Sequence, residues 1–244
     1  MRAVSSLRSA LITTPLIILS TIFYGTIGFL VSFFDSSGDR QMKWARAWSR
    51  ALLAVSGVKV HVEGLGRISP GRSYVFTSNH LSYMDTPVVL ANIPVQFRFL
   101  AKKGLFQIPF LGTHLARAGH IAVPREDPRA AVKIMTQAAQ IIRERGTSLL
   151  VFPEGGRSHD GELRDFKEGA AYIAIKAGVP LVPIALRGTR EVLPFGSGRI
   201  RPGSVTMRIG PPAVTDNLKL HDRDRLTQEL RERIVEMLRD TVSV

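Results

Sequence analysis

Residues 73–91 read SYVFTSNHLSYMDTPVVLA, and the reading of this stretch decides the fold. Ser73–Thr77 is a short apolar run of the kind that forms a buried strand. Thr86-Pro87 reads as a cap followed by proline at the first helical position, opening a helix through about Ala91. Between strand and helix stand His80 and Asp85. On a regular helix, residues five apart point about 140° away from each other. The imidazole and the carboxylate therefore meet only if Asn79 to Met84 forms a loop that folds back. In such a loop Asp85 accepts a hydrogen bond from one ring nitrogen, which fixes the tautomer and leaves the other nitrogen as a base. Taken alone, the motif is read more plainly as a helix cap and a turn histidine.

The same alternation continues outward in both directions. Val58–Glu63, Arg98–Ala101, Gly119–Val123, Ser148–Phe152, Pro180–Leu186 and Val205–Ile209 read as strands. Pro128–Arg145 (closed by Gly146), Glu168–Ala177 (closed by Gly178) and the amphipathic Asp222–Arg239 read as helices, and Lys102–Ala116 as a helical region broken by Pro109 and Gly112. Strands alternating with helices predict an α/β domain with a largely parallel or mixed sheet, here over residues 58–244.

A second constellation follows the strand ending near Phe152. Phe152-Pro153-Glu154-Gly155-Gly156-Arg157-Ser158 sits where α/β proteins bind ligands, at the carboxyl end of a strand. Its glycines let backbone approach a ligand closely, and an arginine grips phosphate through two hydrogen bonds. Alone, this is equally an ordinary turn bearing a surface Glu–Arg pair. Arg125 is a candidate to add positive charge to the same pocket, whereas Lys102 and Lys103 read better as a solvated pair.

From Leu11 to Phe34 the chain has 24 residues without a charge, where about 20 suffice to cross the hydrocarbon core. The stretch exceeds a signal-peptide core and lacks a small-residue cleavage site before Asp35. Pro15, Gly25 and Gly28 leave a bent or re-entrant segment open beside a straight span. Trp44 and Trp48, interleaved with Lys43 and Arg46, suit a helix at headgroup level, with a core stripe as the alternative. Residues 1–57 are thus expected to be a membrane-anchoring segment plus an amphipathic helix. With Arg40, Lys43, Arg46 and Arg50 inside, the following domain is cytoplasmic.

Composition narrows the chemistry. The chain carries a net charge of +13 and no cysteine, so disulfides, thiolate metal sites and a cysteine nucleophile are excluded. Residues 58–215 hold 21 Lys/Arg against 11 Asp/Glu, so the basic excess lies in the central domain and favours anionic partners. There is no G-x-S-x-G elbow, Walker loop or H-E-x-x-H. His61, His114, His120, His159 and His221 show no metal-ligand spacing, so no metal is expected.

Four blocks in order resemble the 1-acylglycerol-3-phosphate O-acyltransferase family of membrane glycerolipid acyltransferases. They are Asn79-His80 through Asp85, Gly119 through Arg125, Phe152 through Ser158, and Val179-Pro180-Leu181-Val182-Pro183-Ile184. Two positions depart from the pattern: Gly156 replaces the usual threonine, and Pro124 stands where a charged residue is common. The resemblance implies a mixed sheet flanked by helices behind a membrane-associated segment. It implies transfer of a fatty acyl group from acyl-CoA or acyl-carrier protein, a cosubstrate rather than a cofactor, to the sn-2 hydroxyl of lysophosphatidic acid. His80 and Asp85 would be catalytic, and Arg125, Glu154, Gly155 and Arg157 would bind the acceptor. Membrane lipids are the expected surroundings. Another acceptor (glycerol 3-phosphate, another lysophospholipid, a lyso-aminolipid) remains an alternative. So does a membrane-tethered basic module for lipid or nucleic acid, although nucleic acid is not expected because the aromatic-basic interleaving of single-strand binders is missing.

Overall fold

The computed structural model describes residues 8–124, 127–158 and 160–239. Seven strands form one sheet in the order β1-β7-β6-β2-β5-β3-β4. They are β1 (Val58–Glu63), β2 (Val75–Ser78), β3 (Phe97–Lys102), β4 (Ile121–Val123), β5 (Ser148–Val151), β6 (Leu181–Arg187) and β7 (Gly203–Ile209). Strands β6, β2, β5, β3 and β4 run parallel, while β7 is antiparallel to β6 and parallel to β1, which makes the sheet mixed.

The central strands are apolar on both faces because helices cover both. Alternate residues point to opposite sides, so Phe76, Leu150 and Val182 enter one core and Val75, Leu149 and Leu181 the other. The first core is closed by α2 (Asp39–Ser56) and α3 (Asp85–Asn92). The second is closed by α5 (Pro128–Arg145), α6 (Gly169–Ala177) and α8 (Arg223–Arg239), which contributes Leu226, Leu230 and Ile234. Two shorter helices, α4 (Leu111–Arg117) and α7 (Thr189–Val192), complete the set.

The uncharged N-terminal stretch is one continuous helical run, Ser9–Phe34, long and apolar enough to cross a membrane. Its regular part is α1 (Thr14–Val31), entered through a π-helical turn over Ser9–Thr13 with Pro15 just after it. Trp44 and Trp48 turn toward α1 rather than outward: the Trp48 indole N–H donates to Thr21 Oγ1 at 3.0 Å, and Trp44 lies 6.2 Å from the Tyr24 ring. The boundary at residue 57 divides sequence character, not packing, since Met42, Leu52 and Leu53 of α2 belong to the first core.

A buried arginine, Arg98, and a half-buried one, Arg46, explain how the N-terminal helices are fixed. Arg98 on β3 donates to Asp39 (2.7 Å) and to the Ser37 carbonyl (2.8 Å). Arg46 on α2 donates to the carbonyls of Ile93 and Val95 after α3, and burial holds its guanidinium below the usual arginine range. Arg46 is thus part of the scaffold, not of a charged flank.

Candidate active site

The central strand β2 delivers Asn79 and His80 to the carboxyl edge of the parallel strands. Asn79 holds its place by pairing like a strand residue: its amide donates to the Leu186 carbonyl (2.9 Å) and its Oδ1 accepts from the Leu186 N–H (2.8 Å). The chain then folds back, and helix α3 begins at Asp85 rather than at Pro87, which falls within its first turn. The loop brings Asp85 under His80, with Nδ1 2.8 Å from Asp85 Oδ2. The same oxygen accepts from the backbone N–H groups of Leu81 (2.8 Å) and Ser82 (2.9 Å). Asp85 is fully buried and Oδ1 has no partner among the described residues. Three donors converge on one oxygen, so Asp85 is an orienter of the loop and the ring together. The imidazole stacks on Phe152 at 4.0 Å with planes 15° apart. Nε2 makes no hydrogen bond to a described residue, leaving it for an incoming hydroxyl.

The turn after β5 is stitched to this loop. The His80 N–H donates to Glu154 Oε1 at 2.6 Å, and the His80 carbonyl accepts from the Ser158 N–H at 3.0 Å. Glu154 Oε2 accepts from the Arg164 N–H at 3.1 Å. Burial pushes the Glu154 carboxyl above its ordinary value, and the two amide hydrogen bonds oppose that rise. Gly155 lies at φ +74°, and a β-carbon there would meet the Lys167 side chain at 3.1 Å. The glycine is thus favoured by a left-handed turn, with the movable end of the Lys167 side chain close by. Arg157 packs its guanidinium carbon 3.2 Å from the Tyr83 ring centroid and 5.5 Å from that of Phe195. Its Nη1 is buried without a hydrogen-bond partner among the described residues. Aromatic faces satisfy the charge of a guanidinium but leave its in-plane N–H groups for an anion.

A base with its orienter beside an arginine with unused donors is the equipment for activating a hydroxyl on a phosphorylated molecule. The family model described as Acyltransferase matches residues 59–187, which contain both motifs. The chain belongs to the acyltransferase family. It is 36% identical over 182 residues to the 1-acyl-sn-glycerol-3-phosphate acyltransferase LPAT1, chloroplastic, of Arabidopsis thaliana, covering 74% of this chain and 49% of that protein. It is 30% identical over 219 residues to the 1-acyl-sn-glycerol-3-phosphate acyltransferase alpha of Bos taurus, covering 90% and 76% respectively. The crystal structure of the 1-acyl-sn-glycerophosphate (LPA) acyltransferase PlsC from Thermotoga maritima superposes with a TM-score of 0.79 at 27% identity, covering 98% of this chain and 100% of that one. The chain spans about half the length of the chloroplast relatives it matches.

Of the residues expected to serve this acyltransferase, the structure unites His80, Asp85, Glu154, Gly155 and Arg157. Arg125, like His159, lies outside the described residues. Glu154, expected at the glycerol or headgroup, has both oxygens engaged by backbone amides. Val179–Ile184 leads into β6 beside β2 and shapes the sheet beneath the site. Sequence reasoning missed the supports: Asn79, the Ser82 hydroxyl donating to the Leu193 carbonyl (2.8 Å), Phe152 under the imidazole, and Tyr83 against Arg157. Only Tyr83 left a signal, as an aromatic inside a polar motif. It also missed His120, whose Nδ1 accepts from the Phe99 N–H at 3.0 Å. Burial, with nearby Arg98 and His114 adding to it, brings His120 down to about 3. A ring nitrogen that accepts a hydrogen bond cannot also hold a proton, so His120 is a neutral structural residue.

Proposed function

We propose that this acyltransferase moves a fatty acyl group from an acyl thioester, acyl-CoA or acyl-carrier protein, to the sn-2 hydroxyl of lysophosphatidic acid, giving phosphatidic acid. The observation that carries the reading is the fusion of two motifs: His80, oriented by Asp85, is hydrogen-bonded through its own backbone to the turn that presents Arg157. Nε2 of His80 takes the proton from the hydroxyl as its oxygen attacks the thioester carbonyl. Collapse of the tetrahedral intermediate releases the thiolate, which recovers that proton. Asp85 stabilises the imidazolium formed between these steps. The chain has no cysteine and no serine elbow, which favours direct transfer over an acyl-enzyme. Arg157, with Arg125, holds the acceptor phosphate. Glu154 acts as a positioning residue that braces the His80 loop, and Gly155 allows that turn to form.

Membrane association serves this chemistry, because acceptor and product are both lipids. The exposed apolar helix at the N-terminus keeps the enzyme at the surface where they reside. We place the catalytic domain on the cytoplasmic face, with Arg40, Lys43 and Arg50 following the apolar run. A panel of acceptors offered with one labelled acyl thioester tests the assignment. Lysophosphatidic acid should be the preferred acceptor, and preference for an acceptor lacking a phosphate monoester would overturn it.

A further inference from the structure

The loop after β3 carries a surface that the transfer chemistry does not use. Lys103–Gln107 forms a 3-10 turn, and Phe110 then sits at φ 61°, ψ −52°. The Leu111 N–H donates to the Pro109 carbonyl at 2.7 Å, so Phe110 is the central residue of a γ-turn of the rare positive-φ kind. Phe110 is the sole non-glycine with positive φ among the described residues. Strain of this type is retained where the conformation is useful. The loop is also rigid: Gly112 N–H donates to the Ile108 carbonyl at 2.8 Å, and a β-carbon on Gly112 would fall 2.0 Å from the Phe106 carbonyl oxygen. What this rigid, strained turn does is drive an aromatic ring outward. Phe110 is 83% exposed, with Leu105, Ile108 and Leu111 exposed around it. Lys102 and Lys103, both exposed, flank the apolar tip.

Its placement supplies the partner. The loop runs into α4, and α4 is fastened to the end of α1. Arg117 donates to the Ser32 hydroxyl (2.7 Å) and carbonyl (2.8 Å), its guanidinium lies 4.2 Å from the Phe33 ring, and His114 packs on Gly28. Exposed apolar side chains run the whole length of this helix, from Leu11 and Ile12 through Leu16, Leu19 and Phe23 to Leu30 and Phe34. The run ends against α4, into which the loop leads. The loop also leaves the same carboxyl edge of the parallel strands as His80 and the Glu154 turn.

We propose that residues 102–111 form a second membrane contact, in which Phe110 and its apolar neighbours enter a leaflet and Lys102 and Lys103 meet anionic headgroups. This contact rests on the reading that α1 is lipid-bound, and it orients the domain so that the edge bearing His80 faces the membrane. Apolar residues ringed by cations are the composition that anionic interfaces recruit. A cysteine-free chain makes the test clean. F110C, F23C on α1 and Q228C on the distant α8 each receive one environment-sensitive fluorophore and are mixed with phosphatidylcholine–phosphatidylglycerol vesicles carrying acyl-chain nitroxide quenchers. The label at 110 should shift blue and be quenched as the label at 23 is, while the label at 228 is not. K102Q combined with K103Q should weaken quenching at 110 by roughly fivefold per charge on vesicles of low anionic content. Quenching at 23 with a water-like signal at 110 overturns the proposal and leaves the α1 reading standing; a water-like signal at both sites removes the two together. A blue shift at 110 without vesicles would identify a second copy of the chain as the occupant and also overturn it. Phe110→Gly, which suits the positive φ, should lower transfer to acceptor in bilayers several-fold and leave transfer to a dispersed short-chain acceptor unchanged. An equal loss on both would contradict a membrane role.

Discussion

Replacing Asp85 by asparagine separates the charge of the orienter from its geometry. Asp85 Oδ2 receives three donors, from His80 Nδ1, Leu81 N and Ser82 N, and Oδ1 receives none. An asparagine amide has one orientation that avoids setting donor against donor: its oxygen at the Oδ2 position and its NH2 at the Oδ1 position. The His80 tautomer and ring position are therefore retained, and what is lost is the negative charge beneath the imidazolium. At an effective dielectric of about 20 and a separation of about 4 Å that charge is worth about 4 kcal/mol. His80 is 18% exposed, and solvent reduces the value to about 2–4 kcal/mol. Asp85→Asn should lower kcat roughly 30- to 10³-fold with KM for the acceptor unchanged. Asp85→Ala removes the acceptor for two buried N–H groups as well. It should cost about 2–5 kcal/mol of stability and reduce transfer to background. The assay is thiol release from an acyl thioester with lysophosphatidic acid in mixed micelles, alongside thermal melts. Asp85→Asn activity within fivefold of the parent would refute the reasoning, as would a melting loss equal to that of Asp85→Ala.

Other consequences concern binding and stability. Arg157→Ala should raise KM for the phosphorylated acceptor roughly 10- to 100-fold with a smaller effect on kcat; Tyr83→Ala should raise it roughly three- to tenfold, and Tyr83→Phe should restore it because the ring is kept. An unchanged KM in Arg157→Ala would take that residue out of the phosphate site. His120 is held near 3 in the folded chain against about 6.5 when unfolded, so between those values the unfolded state binds the extra proton and stability falls as pH falls. From pH 6.5 to 5 this should remove about 1–2 kcal/mol, measured by denaturant melts, and His120→Asn should flatten the slope by one proton; identical slopes would contradict the buried neutral assignment. A chain beginning at Val58 lacks Met42, Leu52 and Leu53 of the first core and should not unfold cooperatively, whereas a sharp melt would show that α2 is a separable anchor.

The strand and helix pattern was legible because the central strands are short apolar runs and helices such as Pro128–Arg145 have unambiguous caps. So was the need for a folded-back loop at His80, since helical geometry forbids the pair otherwise. The helix start was misplaced by two residues because Thr86-Pro87 mimics a cap, while the carboxylate of Asp85 reaches backward to loop amides. The order of the strands rests on pairings between residues about 20 to 145 apart, and the bracing of the His80 backbone by Glu154 and the stacking of Tyr83 on Arg157 join residues about 70 apart. Local pattern contains no trace of them. The roles of Arg46 and Arg98 were hidden for a related reason: a cation in sequence looks solvated until the carbonyls and carboxylate it reaches are known.

The central claim is that His80 activates a lipid hydroxyl for attack on an acyl thioester. Mass spectrometry of products from the intact protein, given lysophosphatidic acid with acyl-CoA or acyl-carrier protein, tests it most directly. Phosphatidic acid carrying the donor's chain at sn-2 should form, and it should vanish in a folded His80→Ala protein. Undiminished product from His80→Ala, or no product from the parent with either donor, would contradict it.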